Sequence, residues 1–124
     1  MAKQIDMAEV WPTPALVRAA RSLLGMAQED LAEKAGFVRK TVILIESHVG
    51  ATMDARRVAV VEELAAFLRK QGIEFLPARG KDGAGVRFAD RDREAMVVAE
   101  IKEDIERRRA ERQRKKVRKT GGKR

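Results

Sequence analysis

Cysteine and tyrosine are absent from this chain of 124 residues, and histidine occurs once, at position 48. Without cysteine the chain has no disulfide framework, no thiolate metal site and no thiol nucleophile. The acidic residues are scattered over helix-like segments and do not surround a glycine-rich or apolar pocket. We find no nucleophile, general base or metal-ligand cluster, and we therefore expect neither enzymatic activity nor a cofactor.

Long apolar runs are missing as well. No segment approaches the roughly 20 apolar residues of a membrane span, and the N-terminal segment lacks the apolar stretch of a secretion signal. We therefore expect a soluble, intracellular protein without a membrane partner. The length of 124 residues is enough for one domain and a tail.

Positive charge is present in excess but is unevenly distributed. The formal net charge is +8 and the pI is near 10.3, which favours a polyanionic partner. Residues 107–124 contain 11 of the 27 basic residues and one of the 19 acidic residues, and they carry +10. The remaining 16 basic and 18 acidic residues give −2, so any nucleic-acid surface on the rest of the chain must be a local patch.

The first helix is predicted over residues 14–24, after an N-terminal lead-in of residues 1–13. Thr13 and Pro14 fit the N-cap and first positions of a helix, and Gly25 fits its end. Apolar residues recur at helical spacing on one face of this segment, and we expect them in the core. This inner stripe consists of Val17, Ala20 and Leu24. The opposite face, expected in solvent, carries Arg18 and Arg21.

Residues 28–46 are predicted to form two short helices joined by one tight turn. An apolar face at helical spacing precedes Gly36, which can turn the chain with positive φ, and a second apolar face begins six residues after it. Ala32 supplies the small side chain that a close helix crossing requires. This is the skeleton of a helix-turn-helix. The two faces consist of Leu31, Ala32 and Ala35, and of Val42 and Ile45.

A long amphipathic helix is predicted next, over about residues 54–71, with Gly72 as its C-terminal cap. Residues 73–76 and 86–88 then read as the strands of a β-hairpin around a polar turn. A lone two-stranded ribbon is marginal in water, so it should pack on the helices or pair with a second copy. This favours a homodimer, with residues 73–89 as a possible dimerisation element.

The last helix is expected to start near Asp90 or Asp92 and to run to about Lys116. Its apolar stripe ends at residue 105, and beyond that point the helix has nothing to bury. We therefore expect residues 107–124 to be partly disordered when free. The stripe consists of Val97, Val98, Ile101 and Ile105.

Several short motifs of this chain resemble a known family. Residues 25–32 read GMAQEDLA, residues 36–37 read GF, and GIEFL and GVRF segments follow the helices. In these motifs the chain resembles the Xre family, the Cro and phage-repressor type of bacterial helix-turn-helix regulators, particularly small stand-alone members with a GVEF, loop, GVRL segment. The resemblance covers about residues 14–88 and implies a phage-repressor-like fold that binds double-stranded DNA.

In such a fold the second helix of the motif enters the major groove, where base edges present distinct donor and acceptor patterns. Phosphate contacts set the register, and base contacts read the sequence. For Arg18 we expect a solvated face, with a phosphate contact as the alternative. The resemblance places base contacts at Arg39, Lys40, Ile43 and Leu44. It places phosphate contacts at Gln28 and Thr41.

The chain departs from the family pattern at three points. Ala27 and Val38 stand where Ser or Thr usually caps the two motif helices, and each lost cap costs about 1 kcal/mol, so packing must hold these helices. Residues 42–45 make the second helix apolar on nearly every side, so its outer apolar residues either contact thymine methyl groups or bury against a protein. His48 replaces a helix-ending glycine, and we expect a loop residue because histidine tolerates left-handed backbone geometry.

The basic tail has two interpretations. As an arm it would neutralise phosphates and add salt-sensitive, sequence-independent affinity, and its lack of aromatic residues argues against stacking on single strands. The alternative is a solubilising terminus. The arm would consist of Arg107, Arg108, Arg109, Arg112, Arg114, Lys115, Lys116, Arg118 and Lys119.

The sequence as a whole predicts a mainly α protein with five helices and one small β-hairpin. Its expected divisions are 1–13, a helix-turn-helix domain at 14–72, the hairpin at 73–89, the C-terminal helix at 90–106 and the basic tail at 107–124. We expect a sequence-specific, dimeric transcriptional regulator, a repressor or autoregulator, in the bacterial cytoplasm and on the nucleoid when bound. The alternative is a protein-interaction module, an antitoxin or antiactivator, that masks a regulatory partner through Ile43 and Leu44 or through the C-terminal helix.

Overall fold

The structure, a computed structural model, describes residues 3–121 and confirms a mainly helical chain with a small antiparallel hairpin. The chain divides into two compact units after Asp90. The helices are α1 Pro14–Leu23, α2 Gln28–Ala35, α3 Arg39–Glu46, α4 Ala55–Lys70 and α5 Arg91–Gly121. The strands are β1 Gln4–Asp6, β2 Thr52–Asp54, β3 Ile73–Leu76 and β4 Gly85–Phe88. Within residues 3–121 no helix is long and apolar enough to cross a membrane.

The core of the first unit lies between α1, α2, α3 and α4. The predicted boundary of α1 is confirmed, because the Thr13 hydroxyl accepts a hydrogen bond from the Leu16 amide at 3.2 Å and Pro14 starts the helix. The apolar faces predicted for α1, α2 and α3 are buried, except that Ala35 is half-buried. The innermost side chains are Val17, Leu31, Val42, Ile45, Val61, Leu64 and Leu68.

The hairpin β3–β4 covers part of this helical layer, with β3 beside α4 and β4 beside α1. Its strands pair antiparallel with Ile73 opposite Phe88 and Leu76 opposite Gly85, as the sequence predicted within one residue. Ile73 and Phe75 are buried, and Arg69 lies over the Phe75 ring, 5.2 Å from its centroid. The hairpin therefore belongs to the core of this unit.

The N-terminal segment is more than the lead-in that the sequence suggested. Residues 4–6 form β1, which pairs antiparallel with β2, a strand that the sequence analysis did not predict. The Ala55 amide, the first of α4, donates to the Lys3 carbonyl at 2.8 Å. Val10 and Pro12 are buried as well. Both strands have only three residues, which is too short for a local pattern to reveal them.

The second unit is α5, which is longer than predicted and runs to Gly121. The helix thus includes residues 107–121 of the segment that was expected to be partly disordered when free, and residues 122–124 lie outside the described residues. This segment consists largely of Arg, Lys, Glu, Gln and Ala, which are strong helix formers. Asp104 pairs with Arg107 at 3.7 Å and with Arg108 at 3.0 Å along the helix. These pairs stabilise the helix where the basic segment begins. Of the predicted apolar stripe, Val98 and Ile105 are exposed.

Candidate nucleic-acid interface

Helices α2 and α3 are joined by a three-residue turn, which gives the helix-turn-helix arrangement that the sequence predicted. Gly36 adopts φ +85°, and the Phe37 amide donates to the Ala32 carbonyl at 2.7 Å, which closes α2. A Cβ at Gly36 would meet nothing within 4 Å, so only the left-handed backbone requires a glycine here. Ala32 is buried where α2 faces the rest of the core.

Both motif helices lack a side-chain N-cap, as predicted from Ala27 and Val38. At α2 the Asp30 carboxylate still accepts a hydrogen bond from the Ala27 amide at 3.3 Å, which is half of a capping box. At α3 the Val38 carbonyl accepts from the Thr41 amide at 3.0 Å. The helices are thus positioned mainly by buried apolar residues.

The first turn of α3 presents positive charge to solvent. Arg39 and Lys40 are both exposed, and no acidic residue lies in this turn. The amide end of a helix adds partial positive charge to the same place. Val42 and Ile45 are buried, so packing fixes the orientation of the helix that carries the two cations.

The other predicted contact residues of α3 lie between the cationic turn and the core. Ile43 and Thr41 are half-buried, and Leu44 is 40% exposed. Val38 and Val49, at the two ends of α3, are 68% and 89% exposed. The surface around α3 is therefore cationic at one end and carries exposed apolar side chains along its length.

The sequence analysis did not predict an ion pair beneath α3, and it wrongly expected Arg21 to lie in solvent. Arg21 does not point to solvent: its Nε and Nη2 donate to the two Glu46 carboxylate oxygens at 2.6 and 2.7 Å. The side chains are 17% and 3% exposed, respectively. The hydrogen bond to Glu46 raises the pKa of Arg21, and the carboxylate charge acts in the same direction, whereas burial opposes it.

The spacing of these two residues carried a usable indication. Glu46 follows Val42 by four positions and so falls on the inner face of α3, and Arg21 follows Val17 by four positions on α1. A carboxylate on a buried face needs a cation, and Arg21 is the basic residue at the edge of the neighbouring inner face. Arg21 also donates to the Met26 carbonyl at 2.8 Å, so it joins α1, the segment before α2 and α3.

Gln28, predicted to hold a phosphate, is engaged inside the unit. Its amide donates to Glu46 at 3.1 Å, which makes it the third member of the ion-pair cluster. The side-chain amide has a second N–H group, so one donor remains for another partner. The exposed acids Glu29 and Asp30 occupy the same first turn of α2 and disfavour a phosphate there.

Arg18 is exposed, as predicted. It lines a shallow open pocket together with Thr13, Glu46 and His48. His48 lies in the loop after α3, but it does not adopt left-handed geometry, because no non-glycine residue within 3–121 has a positive φ. Instead α3 ends where the Ser47 hydroxyl donates to the Ile43 carbonyl at 2.6 Å. The buried Nε2 of His48 has no hydrogen-bond partner.

The basic residues of the predicted arm lie in the second unit, on the last three to four turns of α5. All nine are exposed on this helix. At 100° per residue they cover roughly two thirds of the circumference and leave a strip formed by Ala110, Gln113 and Val117. The segment 107–119 is thus a rod of about 20 Å with a broad cationic face.

Comparison of the chain with protein-family models and with curated proteins finds no match. In residues 3–121 no group of three or more potential ligand side chains is placed to hold a metal ion.

Proposed function

We propose that this protein is a sequence-specific regulator of transcription that binds double-stranded DNA through α3. The supporting observation is the pair of exposed cations, Arg39 and Lys40, at the amide end of a helix whose inner face is fixed by Val42 and Ile45. An α-helix fits the major groove, and Arg or Lys can reach guanine O6 and N7 there. Ile43 and Leu44 would then contact thymine methyl groups, and Thr41 a phosphate.

The ion-pair cluster supports the same function, because base readout requires a helix that does not shift. Glu46 at the end of α3 joins Arg21 of α1 and Gln28 of α2, so three helices share one hydrogen-bonded cluster. Displacement of α3 would break three charge-assisted hydrogen bonds in a site with little water. We assign this cluster a positioning role and leave base contact to the exposed residues.

The α5 rod adds the sequence-independent part of the affinity in this proposal. Each phosphate that is neutralised by one of its nine exposed cations releases counterions. Replacement of Arg112, Arg114 and Lys115 by glutamine keeps helix propensity and removes three charges. If these residues make three phosphate contacts, the slope of log K against log salt should fall by about 2.7.

We further propose a homodimeric repressor or autoregulator without enzymatic activity, located in the bacterial cytoplasm and on the nucleoid when bound. A two-fold dimer requires an inverted-repeat operator with half-sites about one helical turn apart, or a multiple of that spacing. Occlusion of a promoter needs no further domain beyond this assembly.

The test is selection of bound sequences from a random duplex pool, followed by gel shift with the selected site and a scrambled site. The double variant Arg39→Ala, Lys40→Ala should lose the preference for the selected site and keep its fold by circular dichroism. The matched control is Arg56→Ala, Arg57→Ala, which removes two exposed cations from the first turn of α4. Equal sequence preference in both double variants would overturn the proposed readout.

A protein-interaction module is the second candidate, and the exposed apolar side chains around α3 favour it. Val38, Leu44 and Val49 are exposed on or next to this helix, and apolar side chains of this kind form the centres of protein interfaces. Leu44→Asp should then abolish capture of a partner protein, whereas Arg39→Ala, Lys40→Ala should leave it intact. If instead Arg39→Ala, Lys40→Ala abolishes capture of DNA and Leu44→Asp leaves it intact, the result supports the regulator.

A further inference from the structure

The outer edge of β4 carries backbone groups that point away from the hairpin. Ala89 donates its amide to the Gly72 carbonyl at 2.7 Å, which makes residues 72 and 89 a hydrogen-bonded pair. Such pairs alternate along an antiparallel ladder, so the pairs of Glu74 with Arg87 and of Leu76 with Gly85 are also hydrogen-bonded. The N–H and C=O groups of Val86 and Phe88 consequently point to the outer edge of β4.

An apolar shelf lies beside this edge. Leu16, Ala19 and Leu23 of α1 line an open groove together with Gly85 and Val86. Leu23 is 37% exposed, and Val86 is half-buried. A strand added to the edge of β4 would cover the groove with the side chains on its helix-facing side.

Apart from its short length of four residues, the edge lacks the usual protection against strand addition. Isolated edges are commonly blunted by lysine, proline or a bulge, and β4, with the sequence GVRF, contains none of these. Its one charge, on Arg87, is paired with Glu74 across the hairpin at 3.2 Å. Because the charge of Arg87 is paired and the edge is regular, an identical strand can be added without charge repulsion.

We infer that the β4 edge pairs with β4 of a second copy of this chain, which joins two hairpins into a four-stranded antiparallel sheet. The outward groups of Val86 would bond to those of Val86 in the second copy, on the two-fold axis. Each Arg87 would then stand opposite Gly85 of the other copy, where a built Cβ meets nothing within 4 Å and space is open.

Of the registers that keep the same faces aligned, one other pairs three residues of each β4, and charge disfavours it. It would centre on residue 87 and place two arginines directly opposite each other, and like charges in directly opposite positions destabilise a sheet. Centring on Val86 avoids this contact and places a β-branched pair on the axis, which is favourable. The β4 edge would be the contact surface of the homodimer proposed above. Pairing of the two edges does not need DNA binding, so the pairing is tested without DNA.

Opposite charges introduced at position 85 test the pairing. Gly85→Glu would face Arg87 of the second copy and Gly85→Lys would repel it, and each contact occurs twice in a two-fold dimer. We expect the dimer dissociation constant to fall about fivefold with Glu and to rise about fivefold with Lys, relative to Gly85→Gln. The measurement is sedimentation velocity over a wide dilution series at fixed salt, with the full chain.

Cysteine cross-linking tests the register, because the natural chain has no cysteine. Residues in a hydrogen-bonded pair are about 5.5 Å apart between Cα atoms, within the range that a disulfide bridges. Val86→Cys should form a disulfide-linked dimer under mild oxidation. Arg87→Cys and the exposed loop variant Val49→Cys are the matched controls and should stay mainly monomeric on denaturing gels.

Three outcomes would overturn the inference. They are a chain that stays monomeric at all concentrations, a dimer indifferent to the charge at residue 85, and cross-linking as efficient at Val49→Cys as at Val86→Cys. Preferential cross-linking at Arg87→Cys would overturn the register. Because folding is checked by circular dichroism for every variant, loss of the dimer through unfolding is recognised separately.

Discussion

Removing Arg21 should destabilise the protein more than any other single change to its polar residues. Arg21→Ala leaves the Glu46 carboxylate, whose side chain is 3% exposed, with the hydrogen bond from the Gln28 amide but without its cation. Loss of one member of a buried ion pair costs about 3–5 kcal/mol, because the other charge stays buried without compensation. Glu46→Ala should cost less, about 2–3 kcal/mol, since Arg21 is 17% exposed and keeps the Met26 carbonyl.

The assay is urea unfolding followed by circular dichroism, with linear extrapolation of the free energy of unfolding. The apolar double variant Arg21→Met, Glu46→Leu is the control, because replacing both charges removes the desolvation cost together with the attraction. The free energy of unfolding of this double variant should lie within about 1 kcal/mol of that of the natural protein. The effects of the two single changes would then be far from additive. A cost below about 1 kcal/mol for Arg21→Ala would contradict the buried ion pair. So would a double alanine variant in which the costs of the two single changes simply add.

The raised pKa of Arg21 also fixes the pH range of its contribution. A cation whose pKa is raised by folding contributes its full stabilisation below its ordinary pKa and loses it only as the pH rises through the folded value. Both values lie in strongly alkaline solution. Titration of Arg21 therefore adds no slope to the free energy of unfolding between about pH 6 and 9, and a slope that vanishes in Arg21→Met would contradict this assignment.

Three further changes give defined shifts in the free energy of unfolding, each measured by the same urea titration. Gly36→Ala should cost about 1–2 kcal/mol through its positive φ alone, and Gly36→Asn less; equal costs would indicate a steric cause. Ala27→Ser should stabilise by about 0.5–1 kcal/mol by completing the capping box with Asp30, and no gain would mean that the hydroxyl does not reach α2. His48→Phe should gain about 1 kcal/mol by removing the buried, unpartnered Nε2, whereas a loss would mean that this nitrogen has a partner in solution.

Helices and the hairpin were predictable because their signals are local. The apolar spacing of 3.6 residues located α1 to α4, and Gly25, Gly36 and Gly72 adopt the positive φ expected at helix ends. The exposure of Arg39 and Lys40 followed from the same periodicity. For these elements, local pattern and tertiary packing agree.

Long-range pairings were the part that the sequence did not reveal. β1 and β2 are three residues each, and they meet across some fifty positions, so neither has a periodic pattern of its own. The pair of Arg21 and Glu46 also joins distant positions, 25 residues apart, and spacing alone indicates only which faces they occupy. Their cluster engages Gln28, which was predicted to hold a phosphate. The sequence analysis ended α5 too early because it expected the helix to stop where it no longer buries apolar residues. The helix continues to Gly121 because the residues there are strong helix formers.

The strand pair β1–β2 closes the chain around α1, α2 and α3. Because Lys3 accepts the first amide of α4, everything from residue 7 to residue 51 is enclosed in one closed loop. Closing this loop costs chain entropy, which the strand pair and its packing against α4 must offset. Hydrogen exchange at the Ala55 amide therefore reports, from the middle of the chain, whether its beginning is docked.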